Sequence, residues 1–449
     1  MIKKKRRTAQ YERKNNLSKL LLRKIFLLSF LFLVYNQQIY AFFTNLENYS
    51  SLDKIDIYLQ TIDTGNNIYD NFAHTALRIH DRNTGRDIVY NWGIFDFSDP
   101  ISFSLKFYRG ILNYKLGYYP YSRALAYYKL NARSVWQDKL NLKNKEKEIL
   151  LSRINWNLLP KNREYAYHYF FDNCSTRIRD YLDEAISGQL KEETQYKITN
   201  ESFRDMIRKG YETNPFVDVS LDILMNSRID KKISLWEKMF HPFDLRKNLM
   251  SAGINLITPK TTQTLLDYPR LEPFPLSGYQ IIFIYFSFFI FLSLSVYLYQ
   301  KRKKIQNYHL SLFYRFLGIG CFPIACHASV TCLLMPITWI VSAHKDLHHN
   351  INIIAFLPFD FIFLLVSLTW ITKGRPIRLK HNTHKWFKKL IVFHIIVSLS
   401  MLIMYALNLY DQNNSRLIYN LFPIYLISLI LYFTYGSSVF IKKDISVQR

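Results

Sequence analysis

Beyond residue 278 the chain alternates long apolar runs with short polar joints, and this alternation limits what it can fold into. The runs cover about 278–300, 309–342, 351–372, 390–409 and 417–441. A helix needs about 20 apolar residues to cross a hydrocarbon core of ~30 Å. Each run meets that length, so 278–441 is expected to form five spans. The second run is over-long and holds Pro323 and Pro336, which points to a kink, a tilt or partial re-entry.

Charge sets the orientation. The 449 residues carry a formal net charge of +25, which raises the question of a nucleic-acid partner. The distribution argues against one. Ten of the first 24 residues are basic, and further clusters lie at Lys301–Lys304 and between Lys373 and Lys389, each beside an apolar run. Cytoplasmic joints of membrane proteins carry Lys and Arg. The basic segment 1–24, the two basic joints and the tail 442–449 are therefore read as cytoplasmic. The nearly neutral joints His344–Asn350 and Asp411–Arg416 are read as external. Residues 25–42 hold an apolar core of eleven residues before turning polar at Asn36. That length suits a signal peptide or a signal anchor. Either sends the following segment out of the cytoplasm.

Residues 50–258 have mixed polarity and no long apolar run, and are expected to form an external soluble domain. Residues 259–277, with Pro259, Pro269, Pro273 and Pro275, read as a linker. Of four cysteines, three sit in one apolar run (Cys321, Cys326, Cys332) and Cys174 stands alone in the polar half. This is no disulfide framework. His327 beside Cys326 offers no second ligand pair, so neither a metal nor a cofactor is expected.

Two segments of the external domain carry a chemical signal. Asn71–His80 alternates apolar and polar, as a half-buried strand does. Asp81–Arg86 is a turn cluster, and Asp87–Gly93 reads as the returning strand of a hairpin. With the turn centred near Asn83-Thr84, His74 falls opposite Gly93 and diagonal to Asn91, on one face. An amide there is placed to orient an imidazole. The second segment is a β-rich run, Tyr165–Phe171, followed by Asp172-Asn173-Cys174-Ser175-Thr176 and then helical spacing from Arg177 to Gly188. Asn173 or Ser175 is the natural N-cap and Gly188 the natural stop. Cys174 is thereby expected at a strand-to-helix junction. A helix N-terminus stabilises a thiolate and lowers its pKa, its amides suit an oxyanion, and a nearby imidazole completes a nucleophile pair. The plainer readings stand beside these. A lone Cys is commonly a small buried hydrophobe, a lone strand His is commonly structural, and the aromatic run is most simply core. His168 and Asp172 are most simply structural as well.

Asn71–His80, Val89–Phe97 and Tyr165–Asp180 (Tyr-Ala-Tyr-His-Tyr-Phe-Phe-Asp-Asn-Cys-Ser-Thr-Arg-Ile-Arg-Asp) resemble the external domain of the bacterial lipoprotein N-acyltransferase Lnb family. In the membrane part, His344, Asn350-Ile351-Asn352 and Pro358 are similar to that family's His, Asn-x-Asn and Pro pattern. The resemblance implies an α+β papain-like fold of the permuted NlpC type, with His before Cys in the chain, followed by an all-α multi-span membrane domain. By analogy the nucleophile maps to Cys174, the base to His74 and the third group to Asn91. The implied function is transfer of a fatty acyl group from a phospholipid donor, through a Cys thioester, to the α-amine of a diacylated lipoprotein. The implied location is the inner membrane, with the catalytic domain on the periplasmic side. His344, Asn350 and Asn352 are candidate membrane-side site residues, equally readable as helix caps. A membrane-anchored papain-like hydrolase of cell-wall peptide or acyl ester would share Cys174 and His74. A non-catalytic transporter or assembly factor would need neither.

Overall fold

The computed structural model describes residues 51–418 apart from 68–69, 252, 271, 304–309, 358–360 and 375–380. The expected signal segment 25–42, both terminal basic segments, Pro358 and the fifth apolar run beyond Ile418 lie outside the described residues.

The external part is built on an antiparallel sheet of seven strands. In chain order the main strands are β1 (Ile55–Ile62), β2 (His74–Asp81), β3 (Asp87–Ile94), β4 (Asn113–Pro120), β5 (Val135–Lys139) and β6 (Glu164–Ala166). A separate ribbon pairs β7 (Ile198–Ser202) with β8 (Lys232–Ser234), and β9 (Gln263–Leu266) returns to the main sheet. The spatial order is β6-β4-β3-β2-β1-β5-β9. Strand β9 comes from the Pro-rich stretch 259–277, so that stretch is more than a linker. It closes the sheet edge beside β5.

Both faces of the sheet are covered. Ile55, Ile57 and Leu59 of β1 enter the main core, while Ile62 joins Ala76, Val89 and Tyr128 in a second core. On the main-core side lie α3 (Asn144–Leu158) and α4 (Cys174–Ala185). One buried amide locks them to the sheet. Asn157 Oδ1 accepts from Trp92 Nε1 at 2.8 Å and from Tyr181 Oη at 2.8 Å. On the second-core side, α2 (Tyr121–Leu130) supplies Ala124 and Tyr128. Before β4 comes α1 (Pro100–Arg109), capped by Asp99 and stopped by Gly110 at φ 68°. The chain thus has an α/β external domain with an antiparallel sheet.

A smaller subdomain of α5 (Phe203–Gly210) and α6 (Pro215–Leu224) connects this domain to the helical part. Its buried Arg204 bonds Asp222 and Asp230. The helical part contains α7 (Gly278–Lys303), α8 (Leu310–Val341), α9 (Phe361–Lys373) and α10 (His381–Ala406). Among the described residues two helices are long and apolar enough to cross a membrane, within α7 and α8. Helix α8 runs through Pro323 and Pro336 for 32 residues. The third apolar run differs from expectation. Its first part holds a 3-10 turn, Ile351–Ile354, with Asn352 buried, and the described helix α9 covers Phe361–Lys373. Asn350 caps the turn by accepting from the Asn352 N–H, and the Nδ2 groups of both asparagines bond outside the segment.

Candidate active site

Cys174 is the first residue of α4. Asn173 caps the helix as anticipated, its Oδ1 accepting from the backbone N–H of Ser175 and Thr176 at 2.9 Å each. Its Nδ2 donates to the carbonyls of Tyr169 (2.9 Å) and Phe240 (3.0 Å), which anchors the loop before the helix. The aromatic run before it departs from the expected strand. Only Glu164–Ala166 pairs in the sheet, and the chain then folds into a tight loop closed by the His168–Asp172 bridge. The loop lets Tyr169 and Phe170 pack separately from Tyr165.

The hairpin has the anticipated register. Leu77 pairs with Tyr90, and the same offset sets His74 against Gly93. His74 Nε2 bonds Asn91 Oδ1 at 2.9 Å. An amide oxygen only accepts, so Nε2 carries the hydrogen and Nδ1 is left to take a proton. Asn91 is itself fixed: Oδ1 also accepts from Gly93 N–H at 2.6 Å, and Nδ2 donates to the Tyr119 hydroxyl. A Cβ on Gly93 would lie 2.6 Å from His74 Cε1, so only glycine leaves room for the ring. Helix α4 packs across β2 and β3, which brings the Cys174 sulfur to the backbone N–H of Thr75, the residue after His74. The structure thus joins His74 to Asn91 and sets the Cys174 sulfur at the N–H of the next residue along the strand, Thr75.

The electrostatics differ from the expectation of a lowered thiol pKa. Burial pushes the Cys174 thiol up to about 11, outweighing the N–H groups of Thr75, Ser175 and Cys174 and the Arg133 charge, all of which favour the thiolate. Burial, reinforced by Arg133, pushes His74 down to about 4 against the bond from Asn91. Desolvation opposes charge on both groups. The resting pair is therefore neutral thiol and neutral imidazole, and the imidazole can act as a general base but not as a preformed imidazolium.

Sequence reasoning missed Arg133, Tyr119 and Tyr128. Arg133 is 4% exposed; it bonds Asp70 through Nη1 at 2.6 Å and the Asp63 carbonyl through Nε at 2.8 Å, while its Nη2 has no hydrogen-bond partner among the described residues. Tyr119 and Tyr128 continue the chain of contacts behind Asn91. Tyr119 arrives from β4, Tyr128 from α2 and Arg133 from the joint before β5, so no local spacing announces them.

His344, Asn350 and Asn352 fall at a second place, the joint between the external domain and α8. His344 Nε2 bonds the Phe107 carbonyl at 3.0 Å, and its ring lies 5.3 Å from that of His168. Burial, followed by the nearby His344, pushes His168 down to about 4. Beside them Asp346 accepts from the Tyr169 hydroxyl, and burial pushes its carboxyl up to about 6. Asn350 and Asn352 are buried and both donate to the Ile223 carbonyl, at 2.8 and 3.0 Å. Their positions are those of structural clasps. Among the described residues no three His, Cys, Asp or Glu side chains gather as a metal site.

No curated protein and no solved structure is significantly similar to the chain. Residues 42–208, a stretch that contains His74, Asn91 and Cys174, match the family model of the Lnb N-terminal periplasmic domain.

Proposed function

We propose that the chain is a lipoprotein N-acyltransferase working through a thioester on Cys174. The observation that carries this reading is the coincidence of a Lnb-type domain with a hydrogen-bonded His74–Asn91 pair beside a cysteine at a helix N-terminus. The order of His before Cys supports a permuted papain-like layout.

In the first half-reaction His74 Nδ1 takes the thiol proton as sulfur attacks the ester carbonyl of a phospholipid. Concerted removal suits a neutral pair, since it never requires a free buried thiolate. N–H groups at the α4 N-terminus and of Thr75 can stabilise the tetrahedral oxyanion. The intermediate collapses, the lysophospholipid oxygen leaves with the proton from His74, and an acyl thioester remains. In the second half-reaction the neutral α-amine of a diacylated lipoprotein attacks the thioester, His74 removes a proton from nitrogen, and Cys174 leaves as the thiol when that proton returns. Asn91 holds the imidazole edge-on throughout. The reading places the domain on the periplasmic side of the inner membrane, with the helical part as a multi-pass anchor.

Mass spectrometry of a lipoprotein N-terminal peptide tests this, using cells that lack other N-acyltransferases. The wild-type protein is expected to give the triacylated peptide, and Cys174→Ala the diacylated free amine. Diacylated peptide in both, at equal protein levels, rejects the transferase and favours a hydrolase.

A further inference from the structure

Helix α1 ends against a membrane-length helix. Tyr108 Oη donates to the Leu334 carbonyl at 3.1 Å and to Thr338 Oγ1 at 2.9 Å, both inside α8. Ser342 Oγ donates to the Tyr108 carbonyl and the N–H of Ala343 to that of Arg109, at 2.6 and 2.9 Å. These bonds hold α1 level with the last turns of α8, which ends at Val341. The other end of the helical pair marks the same level. Gly278 opens α7 against Pro215 of α6, so close that a Cβ there would lie 2.2 Å from the Pro215 carbonyl oxygen.

Large apolar side chains are left uncovered at this level. Ile101 and Leu105 of α1 are 74% and 57% exposed, four residues apart on one helical stripe, and Phe97 just ahead of the helix is 42% exposed. Near the start of α7, Phe216 is 74% and Phe274 50% exposed. Lys106 and Arg109 occupy the last turn of α1, while Asp99 caps its start and Asp96 lies within reach of the Lys106 charge. Apolar stripes edged by cations at the end of a span are the composition of an interfacial element. The opposite face of α1 leads inward. Phe103 packs near Phe107, Phe107 near Tyr167, and Tyr167 stacks on Tyr114 at 4.1 Å. Tyr167 and Cys174 line the same core edge.

We infer that α1, through Ile101 and Leu105, lies in the outer leaflet of a phospholipid bilayer and guides a lipid acyl ester along the Phe103–Phe107–Tyr167 seam toward Cys174. The occupant is a phospholipid surface, because the patch continues the flank of α8 and carries cations for headgroup phosphates. Burying both side chains in lipid removes their apolar surface from water. Delivery of the donor rests on the proposed thioester reaction; the membrane contact of α1 does not.

The test uses the full chain in nanodiscs of phosphatidylethanolamine and phosphatidylglycerol. A benzophenone amino acid is placed at position 101 or 105 and irradiated. Phospholipid adducts at both positions are expected, and their absence at both overturns the membrane contact. In parallel, the double substitution Ile101→Glu with Leu105→Glu is expected to slow lipid-derived acylation of Cys174 at least tenfold, while alkylation of Cys174 by iodoacetamide stays within twofold. Acylation unchanged by the double substitution overturns the delivery route. Lipid adducts without any acyl group on Cys174 in the unsubstituted protein uphold the contact and reject the thioester reaction instead.

Discussion

At the scale of single residues, burial decides the chemistry of the pair. A helix N-terminus is worth ~0.3–1 kcal/mol to an anion near it, whereas desolvating a buried group shifts its pKa by up to several units. At Cys174 the second effect wins and the thiol is pushed up to about 11. Alkylation by iodoacetamide reports the thiolate directly. Its rate is expected to keep climbing from pH 7 to pH 10 without a plateau; a plateau already reached at pH 6 would mean a preformed ion pair and would reject this picture. His74 works in the opposite sense. Its folded pKa, about 4, lies below the value of 6.5 for a free imidazole. The unfolded chain therefore binds the extra proton first, and stability present above pH 6.5 is lost as pH falls toward 4. The linkage amounts to about 3 kcal/mol at most. His74→Gln, which cannot titrate, is expected to lower the drop in thermal midpoint between pH 7 and 4.5. Gly93 governs the same ring by space alone. Gly93→Ala is expected to reduce acylation of Cys174 about a hundredfold through displacement of the imidazole, in line with the ~10²-fold cost of a misplaced catalytic group. Intact mass of the acyl-enzyme measures it.

Among the elements, those with both partners on one continuous segment were the most legible. The His74–Asn91 relation follows from alternation and a turn, because a hairpin register is settled within some 20 residues. The Asn173 cap follows from one side chain and its two following amides. The loop 167–172 was not legible as such. Its Tyr, Phe and His content favours strand, and the contacts that fold it back come from distant segments: Phe203 and Phe240 pack on Phe170, and Asp346 bonds Tyr169. Strand β9 was hidden for a similar reason, since Pro-rich flanks masked a short edge strand that only β5 completes. The double role of Asn173 yields a prediction at this scale. Asn173→Ala removes the cap, worth ~1–2 kcal/mol, and strips two buried carbonyls of their donor, each ~1 kcal/mol or more. A loss of about 3 kcal/mol is expected, read as a lower thermal midpoint and faster amide exchange across Cys174–Asp180. Unchanged exchange there would show that the helix start does not depend on its cap.

For the molecule as a whole, the question is what keeps the face that carries Cys174 in one place relative to the helical part. The last carbonyls of a helix have no partner within it, and α6 ends beside Ile223. Two asparagines from the joint after α8 satisfy that one oxygen, Asn350 and Asn352. Each is in turn held by a partner just after α10: Gln412 Nε2 donates to Asn350 Oδ1 at 2.7 Å, and Asn414 Nδ2 to Asn352 Oδ1 at 3.2 Å. Asn226 adds a third tie, its backbone N–H donating to the Asp346 carbonyl at 2.7 Å. Because a carbonyl accepts two hydrogen bonds, either asparagine alone keeps the Ile223 oxygen satisfied. The costs of removing them should therefore not add. Asn350→Ala or Asn352→Ala singly also strips Gln412 or Asn414 of its acceptor and is expected to cost about 2 kcal/mol. The double variant leaves a buried orphan carbonyl and is expected to exceed the sum by about 1–2 kcal/mol. Amide exchange over α6 and the joint measures this coupling. If acyl transfer depends on the catalytic face being clasped to the membrane part, the double variant should lose lipid-derived acylation of Cys174 while its thiol still alkylates at the wild-type rate. Additive costs, with acylation intact, would mean that α1 alone sets the domain on the bilayer and that the clasp serves folding only.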